Sequence, residues 1–201
     1  PTVCHVKNTG RCKELLSSGA AVYLEKSNNP DRKTAYDLIA VEKGNRLINM
    51  DSQVPNHAVA EWIKSGGLLG ENPVVKAEST FGNSRFDFYV ESKNSDRKAY
   101  VEVKGCTLET DGVCMFPDAP TQRGVKHIEE LVKCVESGFE AYIVFLVQMK
   151  DVKYFTPNYA THKAFGEALK TAQSKGVKVL AFDSIVTPDS IQLNEPVEVR
   201  Y

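Results

Sequence analysis

The sequence predicts an α/β (α+β) protein, a small all-β segment followed by a mixed sheet flanked by helices. Three observations carry this. Residues 3–49 hold mainly short strand-like runs broken by turn chemistry. Beyond Asp51-Ser52-Gln53-Val54-Pro55 the apolar residues first recur at helical spacing. Ala141–Val147 is a near-continuous apolar run, as in strands covered on both faces. The change of period places a boundary at about residue 52, dividing the chain into 1–52 and 53–201.

In the first part the expected strands are Val3–Lys7, Ala21–Lys26, Thr34–Val41 and Arg46–Asn49, forming a β-meander or barrel. A short helix is expected from Cys12 to Ser18, stopped by Gly19. In the second part Ala58, Val59, Trp62 and Ile63 mark a helix that ends at Ser65-Gly66-Gly67. Strands follow at Val74–Glu78, Arg85–Val90 and Ala99–Lys104, then a helix over 122–137 with Thr121 as N-cap and Gly138 as stop. The buried strand 141–147, a helix over 159–175 stopped by Gly176, and a strand over 177–182 complete the order. Trp62 falls in an apolar helical stripe and is assigned to the core.

Composition narrows the class. The 201 residues are 42% hydrophobic and 25% charged, enough to bury a real core. No apolar run approaches the ~18 residues of a membrane span, and Pro1–His5 has neither part of a signal peptide, so a cytoplasmic protein without membrane contact is expected. Five cysteines without a C-x-x-C pair fit a reducing compartment. Cys4, His5 and Cys12, or Cys106, Cys114 and His127, could be zinc ligands, but their spacing fits small buried thiols better. A net charge of -1 leaves any contact with a polyanion to local basic patches.

The chemistry-bearing residues lie on two neighbouring strands. Arg85–Val90 and Ala99–Lys104 flank a polar loop and form a hairpin. Alternation puts Glu102 and Lys104 on one face. With Val90 paired to Ala99, Asp87 would face Glu102 with their Cβ atoms ~5 Å apart. Two carboxylates that close require a cation or a shared proton, and a Mg²⁺ or Mn²⁺ ion takes oxygen ligands of this kind together with a phosphate. Lys104 could then hold a phosphate oxygen or orient the attacking water. The bland alternative is a solvated hairpin face with a cross-strand ion pair. The E-x-K triplet alone carries little weight, since Glu91-Ser92-Lys93 repeats it and Pro30-Asp31-Arg32-Lys33 spells a related string in a turn. Next, 116–127 opens a helix whose start, with Arg123, Lys126 and His127, makes an anion-binding corner, or else a solvated face beside a packed ring. Lys7, Arg11, Arg32 and Lys33 are expected to extend this nucleic-acid-facing surface.

Together these runs resemble the sugar fermentation stimulation protein A (SfsA) family. The likeness rests on Asn8-Thr9-Gly10, Ser84-Arg85-Phe86-Asp87-Phe88, Val101-Glu102-Val103-Lys104 and the F-P-D-A-x-T-x-R-G-x-K-H run at 116–127, and it spans nearly the whole chain. The resemblance implies an N-terminal OB-fold-like barrel, expected to be incomplete before Asn8, followed by a PD-(D/E)xK nuclease-like domain in a DNA-binding protein. It implies that Asp87, Glu102 and Lys104 form the catalytic set, with a further metal-ligating Glu from the preceding helix, Glu61, or from the first strand, Glu78. The family name describes a growth phenotype, and no sugar site is recognisable. The expected function is Mg²⁺-dependent hydrolysis of DNA. The rivals are a non-catalytic DNA-binding regulator of sugar metabolism genes and an RNA-directed nuclease, since OB-type surfaces stack single strands of either kind.

Overall fold

The computed structural model describes the chain from Pro1 to Tyr201. Its N-terminal part is an open four-stranded sheet of β1 (Cys4–Val6), β2 (Val22–Lys26), β3 (Tyr36–Lys43) and β4 (Arg46–Asn49). The long β3 is central. β2 runs antiparallel along one edge, while the other is shared by β1, parallel at Cys4↔Tyr36, and β4, antiparallel at Lys43↔Arg46. The helix expected over 12–18 is a single turn, with the N–H groups of Leu15 and Leu16 both bonded to Cys12 O. Cys12 has a left-handed backbone (φ 47) and is buried with Leu15, so the segment drops two apolar side chains inward and does not propagate.

The second part is a six-stranded sheet in the order β13-β12-β10-β7-β6-β5. Its strands are β5 (Val74–Phe81), β6 (Ser84–Glu91), β7 (Lys98–Cys106), β10 (Glu140–Val147), β12 (Lys178–Val186) and β13 (Ile191–Pro196). β7, β10 and β12 are mutually parallel; β5, β6 and β13 are antiparallel additions at the two edges. A small second sheet joins β8 (Leu108–Thr110), β9 (Val113–Phe116) and β11 (Tyr154–Pro157).

Three helices cover the large sheet. α1 (Val54–Trp62) starts with Pro55, which suits a first turn that needs no amide donor, and runs into a π-helical turn, Ile63–Gly67. A Cβ on Gly67 would stand 2.2 Å from Trp62 Nε1, so glycine lets the turn close over that ring, which in turn packs on Phe182 at 5.0 Å. α1 lies over β7, β10 and β13. α2 (Gln122–Glu136) and α3 (Tyr159–Ser174) pack together on the opposite face. Thr121 caps α2, its Oγ1 accepting the Gly124 N–H at 3.0 Å.

β10 has the two-sided burial read from its sequence. Ile143, Phe145 and Val147 join one apolar cluster with Ile128, Leu131 and Val132 of α2, while Tyr142, Val144 and Leu146 join another with Ala58, Val59 and Ile63 of α1. The first cluster also takes in Leu38, Val41, Ile48 and Met50, so the N-terminal sheet packs on the α2 side of the large sheet and shares its core. Cys12, Cys106, Cys114 and Cys134 are buried there as free thiols. No helix is long and apolar enough to cross a membrane.

Candidate active site

The site forms where two strands part. β6 and β7 pair as the sequence predicts, Val90 with Ala99, but the ladder stops at Phe88↔Val101. Residues two apart on a strand should share a face, yet Phe86 enters the α2-side cluster and Phe88 the α1-side cluster. The backbone therefore turns over at Asp87. On β5 the residue between the pairs Ala77↔Phe88 and Ser79↔Phe86 is Glu78, whose φ of 52 marks a kink in that strand too. The expected flat face-to-face pair of Asp87 and Glu102 is thus replaced by a splayed one. Asp87 Oδ2 accepts the Val103 N–H at 2.7 Å, and its Oδ1 accepts Asn56 Nδ2 of α1 at 2.8 Å. The carboxylate stands in the gap that the parted strands leave.

Glu102 is buried, and its Oε1 lies 2.5 Å from both Lys104 Nζ and His127 Nδ1. Arg123 Nε donates to His127 Nε2 at 3.4 Å, which leaves the ring proton on Nδ1 to be given to Glu102. Burial pushes the Glu102 carboxyl up, but the bonds from His127 and Lys104 outweigh it and hold the group below its ordinary range. Asp87 shifts the other way: burial and then the charge of Glu102 raise it, against the opposing pull of the Val103 N–H, Lys104 and Asn56. Glu102 Oε2 has no protein donor. Asp87, Glu102, Lys104, Arg123 and His127 line one cleft of about 250 Å³, together with Glu78 and Arg85.

Other expected site residues lie elsewhere. Glu61 is exposed on α1 and outside this cleft; the α1 side chain that reaches Asp87 is Asn56, which sequence reasoning missed because nothing distinguishes it from any polar residue in a first turn. Glu78, the candidate from the first strand, is the one that the fold brings to the site, its exposed carboxylate 3.6 Å from Arg85. As the side chains stand, no three acidic, histidine or cysteine groups converge as metal ligands. The donors nonetheless suit a hard cation: Glu102 Oε2 is free, Asp87 is undercompensated, and Glu78 is exposed at the rim.

The basic residues divide into two groups. Lys7 and Arg32, expected to face nucleic acid, instead converge on buried Asp37, at 3.2 and 2.5 Å. Lys7 also lies 3.4 Å from Asp51. His127 is buried against Glu102 and does not present a phosphate-binding face. Arg11, Lys33, Arg123 and Lys126 are exposed and form no ion pair.

The two most specific motifs meet beside Lys104. Asn8 Oδ1 accepts the Gly10 N–H at 2.8 Å, and Asp118 Oδ2 accepts the Cys12 N–H at 2.9 Å. A Cβ on Gly10 would lie 2.8 Å from Asp118 Oδ2, so glycine is what permits the approach. Between the Asn8-Thr9-Gly10 loop and the 116–121 segment runs a second cleft, of about 510 Å³, that also reaches Val103 and Lys104.

Comparison with known proteins identifies the family and the fold. The model of the sugar fermentation stimulation protein RE domain matches residues 53–190, and that of the SfsA N-terminal OB domain matches 1–50. The chain belongs to the sugar fermentation stimulation protein family. Relatives in Ruminiclostridium cellulolyticum and Desulfitobacterium hafniense strain Y51 are 57% and 58% identical over 198 residues. These matches cover 98% of this chain and 87% and 86% of the relatives. A solved structure of Pyrococcus furiosus SfsA in complex with Ca²⁺ is 28% identical, with a TM-score of 0.87, over 98% of this chain and 84% of that one. The N-terminal sheet is the family's OB domain, and the mixed sheet with its three helices has the fold of that relative.

Proposed function

We propose that this chain is a Mg²⁺- or Mn²⁺-dependent phosphodiesterase acting on DNA, with Asp87, Glu102 and Glu78 as cation ligands and Lys104 beside the attacking water. The observation that carries the reading is the pairing of a raised Asp87 with a donor-held Glu102 in one cleft bearing Lys104 and Arg123. That the P. furiosus relative was solved with Ca²⁺, a cation that also seeks oxygen ligands, is consistent with it.

A bound cation would neutralise the carboxylate pair and polarise a phosphate oxygen. The protein's own groups do the rest. Asn56 and the Val103 N–H fix the direction of Asp87, and His127 fixes Glu102. The Lys104 ammonium, 2.5 Å from Glu102, is placed to hold the attacking water. Arg123 and Lys126, exposed at the start of α2, suit the neighbouring phosphates.

The test is incubation with single- and double-stranded DNA and RNA in Mg²⁺, Mn²⁺ or EDTA, for the wild type and Glu102→Ala. Metal-dependent cleavage lost in the variant supports the reading. One observation favours the rival of a DNA-binding regulator: Glu102 is already compensated by Lys104 and His127 without a cation. Retention of DNA with no cleavage under any metal would select that rival, and cleavage confined to RNA would change the substrate.

A further inference from the structure

We propose that the cleft between the Asn8-Thr9-Gly10 loop and the 116–121 segment receives one nucleoside of the substrate, turned out of its stack, beside the scissile phosphate in the cleft of Asp87 and Glu102. This rests on the phosphodiesterase reading and adds the shape of substrate that the site takes.

Position is the first argument. Ser52, Val103 and Lys104 line both this cleft and the one holding Asp87 and Glu102, so the two are continuous and Lys104 stands at their junction. A group in the second cleft is thus one residue's reach from the carboxylates. At about 510 Å³ the cleft falls within the range of small-molecule sites, roughly 300–1,000 Å³.

Chemistry is the second. Lys104 is the one cation lining the cleft and Asp118 the one carboxylate, so the walls offer no net charge to a phosphate. They suit a neutral, flat group with a polar edge. Leu108, Met115, Pro117 and Pro120 supply apolar surface. Two acceptors stand ready for the amino or imino hydrogens of a base. Asp118 Oδ2 is engaged by the Cys12 N–H, leaving Oδ1 without a donor. Gln148 gives its Nε2 to Asn49 and Asp51, leaving Oε1 without one. A Cβ on Gly105 would stand 2.4 Å from that Oε1, so bare backbone keeps the acceptor uncovered.

Preformation is the third. The cleft's two walls are tied by the Gly10–Asp118 approach and the Cys12–Asp118 bond, across more than a hundred residues of sequence. Turning out a base costs a few kcal/mol of stacking, least in a single strand or a mismatch. A rigid pocket with waiting acceptors offsets that cost without ordering a loop.

The experiment uses oligonucleotides with one 2-aminopurine at successive positions, whose fluorescence is quenched by stacking, bound to the full chain in EDTA or Ca²⁺. The expected result is a several-fold rise in emission at one position. Thr9→Tyr, which fills the cleft from the OB wall, should remove the rise and weaken binding about tenfold, the worth of one stacked base. Ala119→Leu fills it from the other wall and gives the same answer if the first variant does not fold. Binding with emission quenched at every position overturns this inference and leaves the phosphodiesterase reading standing. An unchanged rise in both filled variants also overturns it. Oligonucleotides that do not bind at all overturn both.

Discussion

Asp87 Oδ2 takes the Val103 N–H at 2.7 Å, the main-chain donor that β6 would have used had the two strands stayed paired. The carboxylate thus replaces a ladder bond. It does so while raised by burial and by Glu102, so the folded protein holds a proton there above the ordinary range. A raised acid favours the fold less as pH climbs through the window above its usual value of 3.8. Asp87→Asn keeps an acceptor for Val103, meets Asn56 once that amide turns to present its Oδ1, and removes the disfavoured charge, so its stability at neutral pH should equal or exceed the wild type. Cation protection should vanish. With Mn²⁺ at a hundred times its Kd the wild type should gain about 2.7 kcal/mol in melting experiments, and the variant far less.

His127→Phe leaves Glu102 buried with one donor fewer. The expected loss is about 1–3 kcal/mol at neutral pH, read by urea unfolding. Because the wild-type Glu102 carboxyl is held low, its contribution is present above the usual 4.5 and lost as pH falls through the depressed value. In the variant the depression shrinks, so the acid limb of the stability curve should move to higher pH. An unmoved limb would mean that Lys104 alone holds Glu102.

Lys104→Ala separates catalysis from cation binding. Hydrolysis should fall by roughly 10²–10⁴, while Mn²⁺ affinity in calorimetric titration is kept or rises, because a positive charge beside the dication is removed. Equal loss of Mn²⁺ affinity in Lys104→Ala, Asp87→Asn and Glu102→Gln would reduce Lys104 to a structural support.

The basic residues should respond as two groups. Arg123→Ala and Lys126→Ala should each lower the salt dependence of DNA affinity by about one unit of slope. Arg32→Ala should leave that slope unchanged and lower stability, since Asp37 loses its closest partner and keeps only Lys7 and His5. Binding titrations between low and moderate salt, beside melts, check both.

What the sequence made legible follows from the range of the causes. Thr121, Gly138 and the two-sided run at 141–147 act within a turn or a strand, and their elements appear where expected. The β8–β9 hairpin was also written in the chain. Asp111-Gly112, both left-handed at φ 54 and 85, is a strong two-residue turn signal, but the flanking strands of three and four residues are too short to show alternation. β13 was missed because it is a half-exposed edge. At the site, Asp87, Glu102 and Lys104 share a cleft because neighbouring strands dictate it, whereas the change of face at Asp87, the contact from Asn56 and the binding of Lys7 to Asp37 depend on distant packing.

The apolar cluster that runs from Leu38 and Ile48 of the OB sheet to Ile128 and Phe165 of the helices makes the molecule mechanically one piece. The OB sheet cannot swing as a hinged jaw around its substrate without tearing that cluster open. Heating should therefore melt the chain in one transition, and residues 1–52 expressed alone should stay unfolded. On the proposed function, recognition would then fall to deformation of the nucleic acid, which bends or opens to suit a fixed trough.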